Sequence, residues 1–78
     1  MIIIYSKHAL ERMKPRDISK EIVEMSFASP EKIVHKASES VLIKKLKTKL
    51  FVVVFRETDS VIFVITAYIT SKVNKYLD

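Results

Sequence analysis

Not one of the 78 residues in this chain is glycine. Average usage is roughly 7%, so a chain of this length ordinarily carries about five. The absence removes whole classes of site. A GxGxxG dinucleotide loop, a P-loop and an EF-hand turn each contain a backbone position that only glycine occupies comfortably. Any grip on phosphate must therefore come from side chains. Cysteine is absent as well, which excludes a disulfide framework, a thiolate nucleophile and a zinc knuckle. The length points to one small domain over residues 1–78.

An apolar share of 49% is ordinary for a globular chain and too high for disorder. Met1 to Tyr5 lacks the basic start of a signal peptide. The longest apolar run, Val61 to Ile69, is interrupted by Thr66 and is about half a membrane span. A cytoplasmic protein with no membrane partner is expected. The net charge of +5 suits a polyanionic partner, either nucleic acid or an acidic protein. A lysine- and glutamate-rich surface of thermophile type accounts for the same charge equally well.

Ile2 to Tyr5 is β-prone and has no helical period, so it reads as a strand. Ser6 is placed to cap a helix from Lys7 to about Met13, which Pro15 closes by disfavouring helical geometry at Lys14. Asp17 or Ser19 caps a second helix, Lys20 to about Ala28, with Ile22, Val23, Ser26 and Phe27 on one side. From there the pattern is all strand: Lys32–Ala37, Val41–Leu46, Leu50–Phe55 and Val61–Thr70. Without Asn-Gly or Asp-Gly, the turns at Lys47-Thr48-Lys49 and Arg56–Ser60 read as looser loops of about three to five residues. Ser71 to Asp78 reads as a frayed helical turn. The fold class is α+β in two layers, one meandering, mostly antiparallel sheet on two N-terminal helices, in the order β-α-α-β-β-β-β.

Alternation along the last strand separates Val61, Phe63, Ile65, Ala67 and Ile69 from Ile62, Val64, Thr66, Tyr68 and Thr70. The first set is wholly apolar and is expected to face the helices. The second is mixed. It is expected to face a groove, a partner protein or a second copy of the chain.

His8 and Arg12, four apart on the first helix, lie about 40° apart around its axis and away from the stripe Ala9, Leu10 and Met13. With Arg16 just beyond the break, they suit phosphate: arginine grips it in bidentate fashion and histidine moves protons near neutral pH. Solvated arginines beside an edge-packed histidine give the same pattern. Lys44, Lys45, Lys47 and Lys49 surround one turn, with Lys36 on the neighbouring strand, as a basic rim for RNA or as protection of a strand edge. Arg56 ends one strand. Tyr68 could stack on a base, join acid–base chemistry or simply pack on the sheet. Ser6, Ser19 and Ser29 fall where caps and turns want serine, so no serine hydrolase is expected. His8 and His35, with no cysteine and no tight carboxylate cluster, give no metal site, and no cofactor is expected.

The string His8-Ala9-Leu10-Glu11-Arg12-Met13, then Arg16 and Ile18, resembles the opening of a family of short domains. Those domains are similar to BrnT-like toxins and, more distantly, to the RelE/ParE toxin superfamily. The resemblance continues through Pro30 and Ile33, Val52 to Phe55, and Val64-Ile65-Thr66-Ala67-Tyr68, and so covers nearly the whole chain. It implies a RelE-like fold and a metal-independent ribonuclease that is the toxin of a toxin–antitoxin pair, with an acidic antitoxin as partner. His8, Arg12, Arg56 and Tyr68 are then the expected catalytic group; Arg16, Lys36, Lys44, Lys45, Lys47 and Lys49 are the expected RNA contacts. A non-catalytic module of the same fold that binds nucleic acid or protein is the alternative. Val61 to Thr70 carries no charge, unlike the arginine-rich last strand of many ribosome-dependent toxins.

Overall fold

The computed structural model describes residues 2–77, with side chains described for residues 2–76. Met1 and Asp78, the ends of the expected domain and tail, lie outside the described residues. The elements are β1 (Ile2–Tyr5), α1 (Lys7–Met13), a 3-10 turn (Lys14–Arg16), α2 (Lys20–Ala28), β2 (Lys32–His35), β3 (Ser40–Leu46), β4 (Lys49–Thr58), β5 (Val61–Thr70) and α3 (Val73–Leu77). The fold is α+β, with three helices and one five-stranded mixed sheet in the order β1-β5-β4-β3-β2. β2 to β5 form an antiparallel meander, while β1 lies parallel to β5.

Local chemistry explains the helices. Ser6 and Ser19 hold extended backbone, and their hydroxyls accept from the amides of Ala9 and Ile22, each satisfying an orphan donor of the first turn. Ser19, not Asp17, is the cap of α2. Pro15 does not push Lys14 out of helical geometry: Lys14 stays right-handed and the chain tightens into the 3-10 turn, where Pro15 is the second residue and its missing amide falls among the donors a first turn leaves unpaired. Asp17, at φ 53°, then ends the turn in the left-handed region.

α1 and α2 cover one face of the sheet. Ala9, Met13 and Val23 pack there on Leu42, Phe51, Val53, Phe55, Val64 and Ala67, all buried. Phe27 meets Phe55 edge to face at 4.8 Å. Ser26 is buried among them with its hydroxyl donating to the Ile22 carbonyl, so no polar group is stranded. Leu10 and Ile22, expected on the packed sides of their helices, are exposed instead.

The expected division of β5 into two faces fails halfway along. The register steps from Val54 opposite Thr66 to Phe55 opposite Val64, leaving Ile65 as an extra residue. Such a bulge reverses the phase of alternation. Ile62 and Val64 therefore join Ala67 in the helix-side core, and Phe63 is left exposed on the other face beside Arg56. The bulge is tied down from outside the ladder. The Ser6 hydroxyl donates to the Ile65 carbonyl at 2.8 Å, and the Ser6 amide donates to the Val64 carbonyl at 3.0 Å.

The two hairpin turns are tighter than expected. Leu46 pairs with Lys49 and Thr58 with Val61, so each loop has two residues. Two-residue loops between twisted strands require positive φ; Lys47 at 46° and Asp59 at 53° supply it without glycine. β2 is shorter than expected, ending at His35, and β4 longer, running from Lys49 to Thr58.

The tail is a short helix that packs. Val73 and Tyr76 of α3 lie on Ile43, Leu50, Val52, Val41 and Tyr68, on the face away from α1 and α2. That cover is partial: Ile2, Ile4 and Phe63 remain exposed beyond it. Among the described residues, no helix is long and apolar enough to cross a membrane.

Candidate functional site

The sheet separates the expected catalytic residues. His8 and Arg12 are exposed on α1, whose buried Ala9 and Met13 sit on the helix side. Tyr68 packs on the opposite side, under α3. Arg56, cross-strand from the exposed Phe63, is near the far end of β4. The sheet therefore lies between His8 and Arg12 on one side and Arg56 and Tyr68 on the other, and the last two border different depressions, Arg56 in register with Phe63 and Tyr68 with Val52.

The lysine turn divides in the same way. Lys44 donates to the Ser29 carbonyl at 2.6 Å and lies 3.8 Å from Glu31. Ser29 is the C-cap of α2, where a cation complements the negative end of the helix. Lys45 pairs across from Leu50 and so shares the α3 side. Lys47 is at the tip of the turn. Lys49, with Arg16 and Ser71, borders a cleft of about 370 Å³ at the end of the sheet.

Two depressions lie near the β2–β3 edge of the sheet. The larger, about 490 Å³, runs over the sheet with Lys32, Lys36 and Lys75 at its rim and Val54, Tyr68 and Tyr76 among its walls. The Tyr68 and Tyr76 hydroxyls lie 2.9 Å apart, and the rings meet edge to face at 6.5 Å. Burial first, and then the hydrogen bond to Tyr76, push the Tyr68 phenol up to about 12. At neutral pH it is a hydrogen-bond donor and not a base.

The second depression, about 460 Å³, lies between the β2–β3 loop and the end of β4. His35, Lys36, Ser40 and Arg56 border it together with Glu39 and Glu57. His35 and Ser40 face each other across the β2–β3 hairpin, with Nδ1 and Oγ 2.9 Å apart. The Lys36 amide donates to the Glu39 carbonyl at 2.9 Å and closes the loop. Lys36 and Glu39 border both depressions, but His35 and Ser40, in register with Phe55, lie on the helix side of the sheet, whereas Arg56 lies on the α3 side.

Sequence reasoning placed Lys36 and Arg56 among functional residues but missed His35, Ser40, Lys32, Lys75 and Tyr76. The signal for His35 was the cross-strand register: a histidine ending one strand opposite a serine opening the next. That register cannot be read until the loop length is known. Among the described residues, no group of three or more histidine, cysteine or carboxylate side chains could hold a metal ion.

No curated protein and no solved structure matches the chain. Residues 5–69 match a family described as a domain of unknown function, DUF4258, a span that runs from the end of β1 almost to the end of β5. Because that match takes in α1, α2 and the whole meander, the chain belongs to the DUF4258 family.

Proposed function

We propose that the chain is a RelE/BrnT-like toxin of a toxin–antitoxin pair, acting on cytoplasmic RNA as a metal-independent ribonuclease, with the RNA lying along the α3 side of the sheet. The observation that carries this reading is the groove edged by Lys32, Lys36 and Lys75 and walled in part by Tyr68 and Tyr76. Cations that track a phosphate backbone beside aromatic rings are the recurring solution for single-stranded nucleic acid. Lacking glycine, the chain has side chains for this task where other folds use a backbone loop. Tyr68, held protonated, donates to a phosphate or ribose oxygen; the guanidinium of Arg56 can grip phosphate at two points. The exposed strip Ile2, Ile4 and Phe63 beside Arg56 is left for the acidic antitoxin or for a second copy of the chain.

A second reading, a module that holds nucleic acid without cutting it, draws on the division between the two faces. His8 with Arg12 cannot cooperate with Tyr68 through the sheet, and Tyr68 is too weak an acid to serve as base.

Expression of the chain alone is expected to arrest growth and shorten transcripts. Purified protein is expected to bind RNA with an affinity that falls steeply with salt, and Lys32→Glu with Lys75→Glu is expected to abolish binding and arrest together. Arrest that survives this charge reversal but is lost in His8→Ala/Arg12→Ala would move the site to the helix side. Binding without arrest or cleavage would leave the second reading; absence of RNA binding would remove both.

A further inference from the structure

We infer that β1 is a docking edge for a second copy of the chain: two copies join by antiparallel pairing of their β1 strands, so that two five-stranded sheets become one of ten strands. Such pairing needs no RNA and stands apart from the reading above. The sequence treats the two outer strands of the sheet differently. β2 is guarded, with Pro30 before it, Lys32 within it and Lys36 just after it, and proline and lysine both discourage the addition of a strand. β1 reads Ile-Ile-Ile-Tyr, β-prone and uncharged throughout, and has no such guard.

The backbone of β1 is open in a definite phase. The Ile2 amide donates to the Ser60 carbonyl and the Ser6 amide to the Val64 carbonyl, so residues 2, 4 and 6 turn toward β5. Ile3 and Tyr5 therefore turn their amides and carbonyls outward, where the sheet has no further strand. The side chains match this opening. Ile3 and Tyr5 pack on the helix-side core, which leaves Ile2 and Ile4 on the α3 face, 60% and 47% exposed. Phe63, in register with Ile4, extends the apolar strip on that face.

Symmetry and charge select the occupant. A two-fold interface requires the strand to complement itself. With Ile3 opposite the partner's Tyr5, and Tyr5 opposite the partner's Ile3, the outward amides and carbonyls of both copies are paired. Ile4 then meets the partner's Ile4 between the hydrogen-bonded pairs, where side chains approach most closely, and Phe63 of each copy flanks them. An acidic partner would be selected by cations on the strand, and β1 has none. Lys20 lies over the Tyr5 ring on the helix side, and Arg56 stands beyond Phe63. Lys32 and Lys36 are at the opposite edge of the sheet, so two copies of charge +5 meet along an uncharged strand. Residues paired across the seam share a face, which sets both lysine grooves on one face of the joined sheet. Four residues a side and one apolar strip fall short of the roughly 800 Å² per partner of a standard interface, so the dimer is weak and reversible.

Sedimentation equilibrium of the full chain, from about 10 µM to about 1 mM, is expected to pass from the mass of the 9.0 kDa chain toward twice that value. Over the same range the Ile3 and Tyr5 amides are expected to slow at least about tenfold in hydrogen exchange, with the Ile4 amide slow throughout. Ile4→Lys and Ile4→Glu are each expected to stay monomeric, because like charges then face each other across the seam. An equal mixture of the two is expected to dimerise again. Met25→Lys, at a methionine 70% exposed on α2, is expected to dimerise like wild type. A wild type that stays monomeric throughout would overturn the proposal and leave the strip to an acidic partner. A dimer kept by both Ile4 variants, or one in which the Ile3 and Tyr5 amides still exchange freely, would overturn it too. Should an Ile4 variant fail to fold, the exchange of those two amides in the wild type decides alone. RNA enters none of these measurements, so failure here leaves the proposed function standing.

Discussion

The two faces of the sheet are built from the same strands but differ in kind. On the helix side, α1 and α2 complete a core in which Phe51, Val53, Val64 and Ala67 are fully buried. On the other side, Val73 and Tyr76 of α3 pack on Val41, Ile43, Leu50, Val52 and Tyr68, beside a groove edged with lysines. Stability is concentrated on one face and available surface on the other. Fold and function can therefore be perturbed separately, although no residue of the sheet is more than one position away from either.

Consecutive residues of β4 give the sharpest contrast. Phe51 and Val52 are both fully buried, the first against the helices and the second under α3. Phe51→Ala is expected to cost about 3–5 kcal/mol, a large share of the roughly 4–12 kcal/mol available to a domain of this size. Val52→Ala is expected to cost about 2 kcal/mol. Urea unfolding of the two variants measures the difference, and equal losses would mean that α3 seals its face as firmly as the paired helices seal theirs. Ser6→Ala removes both the α1 cap and the tie to the bulge. A loss of about 1–2 kcal/mol is expected, seen as a lowered thermal midpoint.

Tyr76→Phe probes the other face alone. About 0.5–1 kcal/mol is expected to go with the hydrogen bond to Tyr68. In the folded chain Tyr68 keeps its proton up to about 12, against an ordinary value of 10.0. Above pH 10 the unfolded chain loses this proton first, so its contribution to stability is level below that point and declines as pH rises toward 12. Without the Tyr76 hydroxyl the alkaline decline is expected to start at the same pH, to be smaller and to end sooner, measured by urea unfolding from about pH 9 upward. Lys47→Gly is the smallest change. It relieves the left-handed φ of 46° but loosens the unfolded chain, for a net gain of about a few tenths of a kcal/mol.

What the sequence made legible was local. Ser6 and Ser19 as caps, the extents of α1, α2 and β5, and the two-helix layer under a meander all follow from neighbours in the chain. The bulge at Ile65 does not, because a period of two gives no sign of where it is interrupted; the interruption is held by Ser6, 59 positions away. The tight hairpins were missed for a related reason. Residue type at Lys47 and Asp59 argues for a longer loop, and strand pairing on either side overrides that preference. Of the site, single cations were legible and their grouping was not. Lys44 looks like its neighbours in sequence but caps α2, while His35 gains its partner only from the register of a hairpin.

The parallel pairing of β1 with β5 carries a consequence for synthesis. Residues 2–5 find their sheet partner only in residues 61–64, and α1, which follows them, packs chiefly on β5. On the ribosome β1 must wait until residues 61–64 have emerged. Non-local pairing of this kind delays folding until its last element exists. The meander can assemble as it is made, but the strand that borders Phe63 and the helix that carries His8 and Arg12 dock last. A product truncated before β5 would therefore leave β1 and α1 without their place on the sheet.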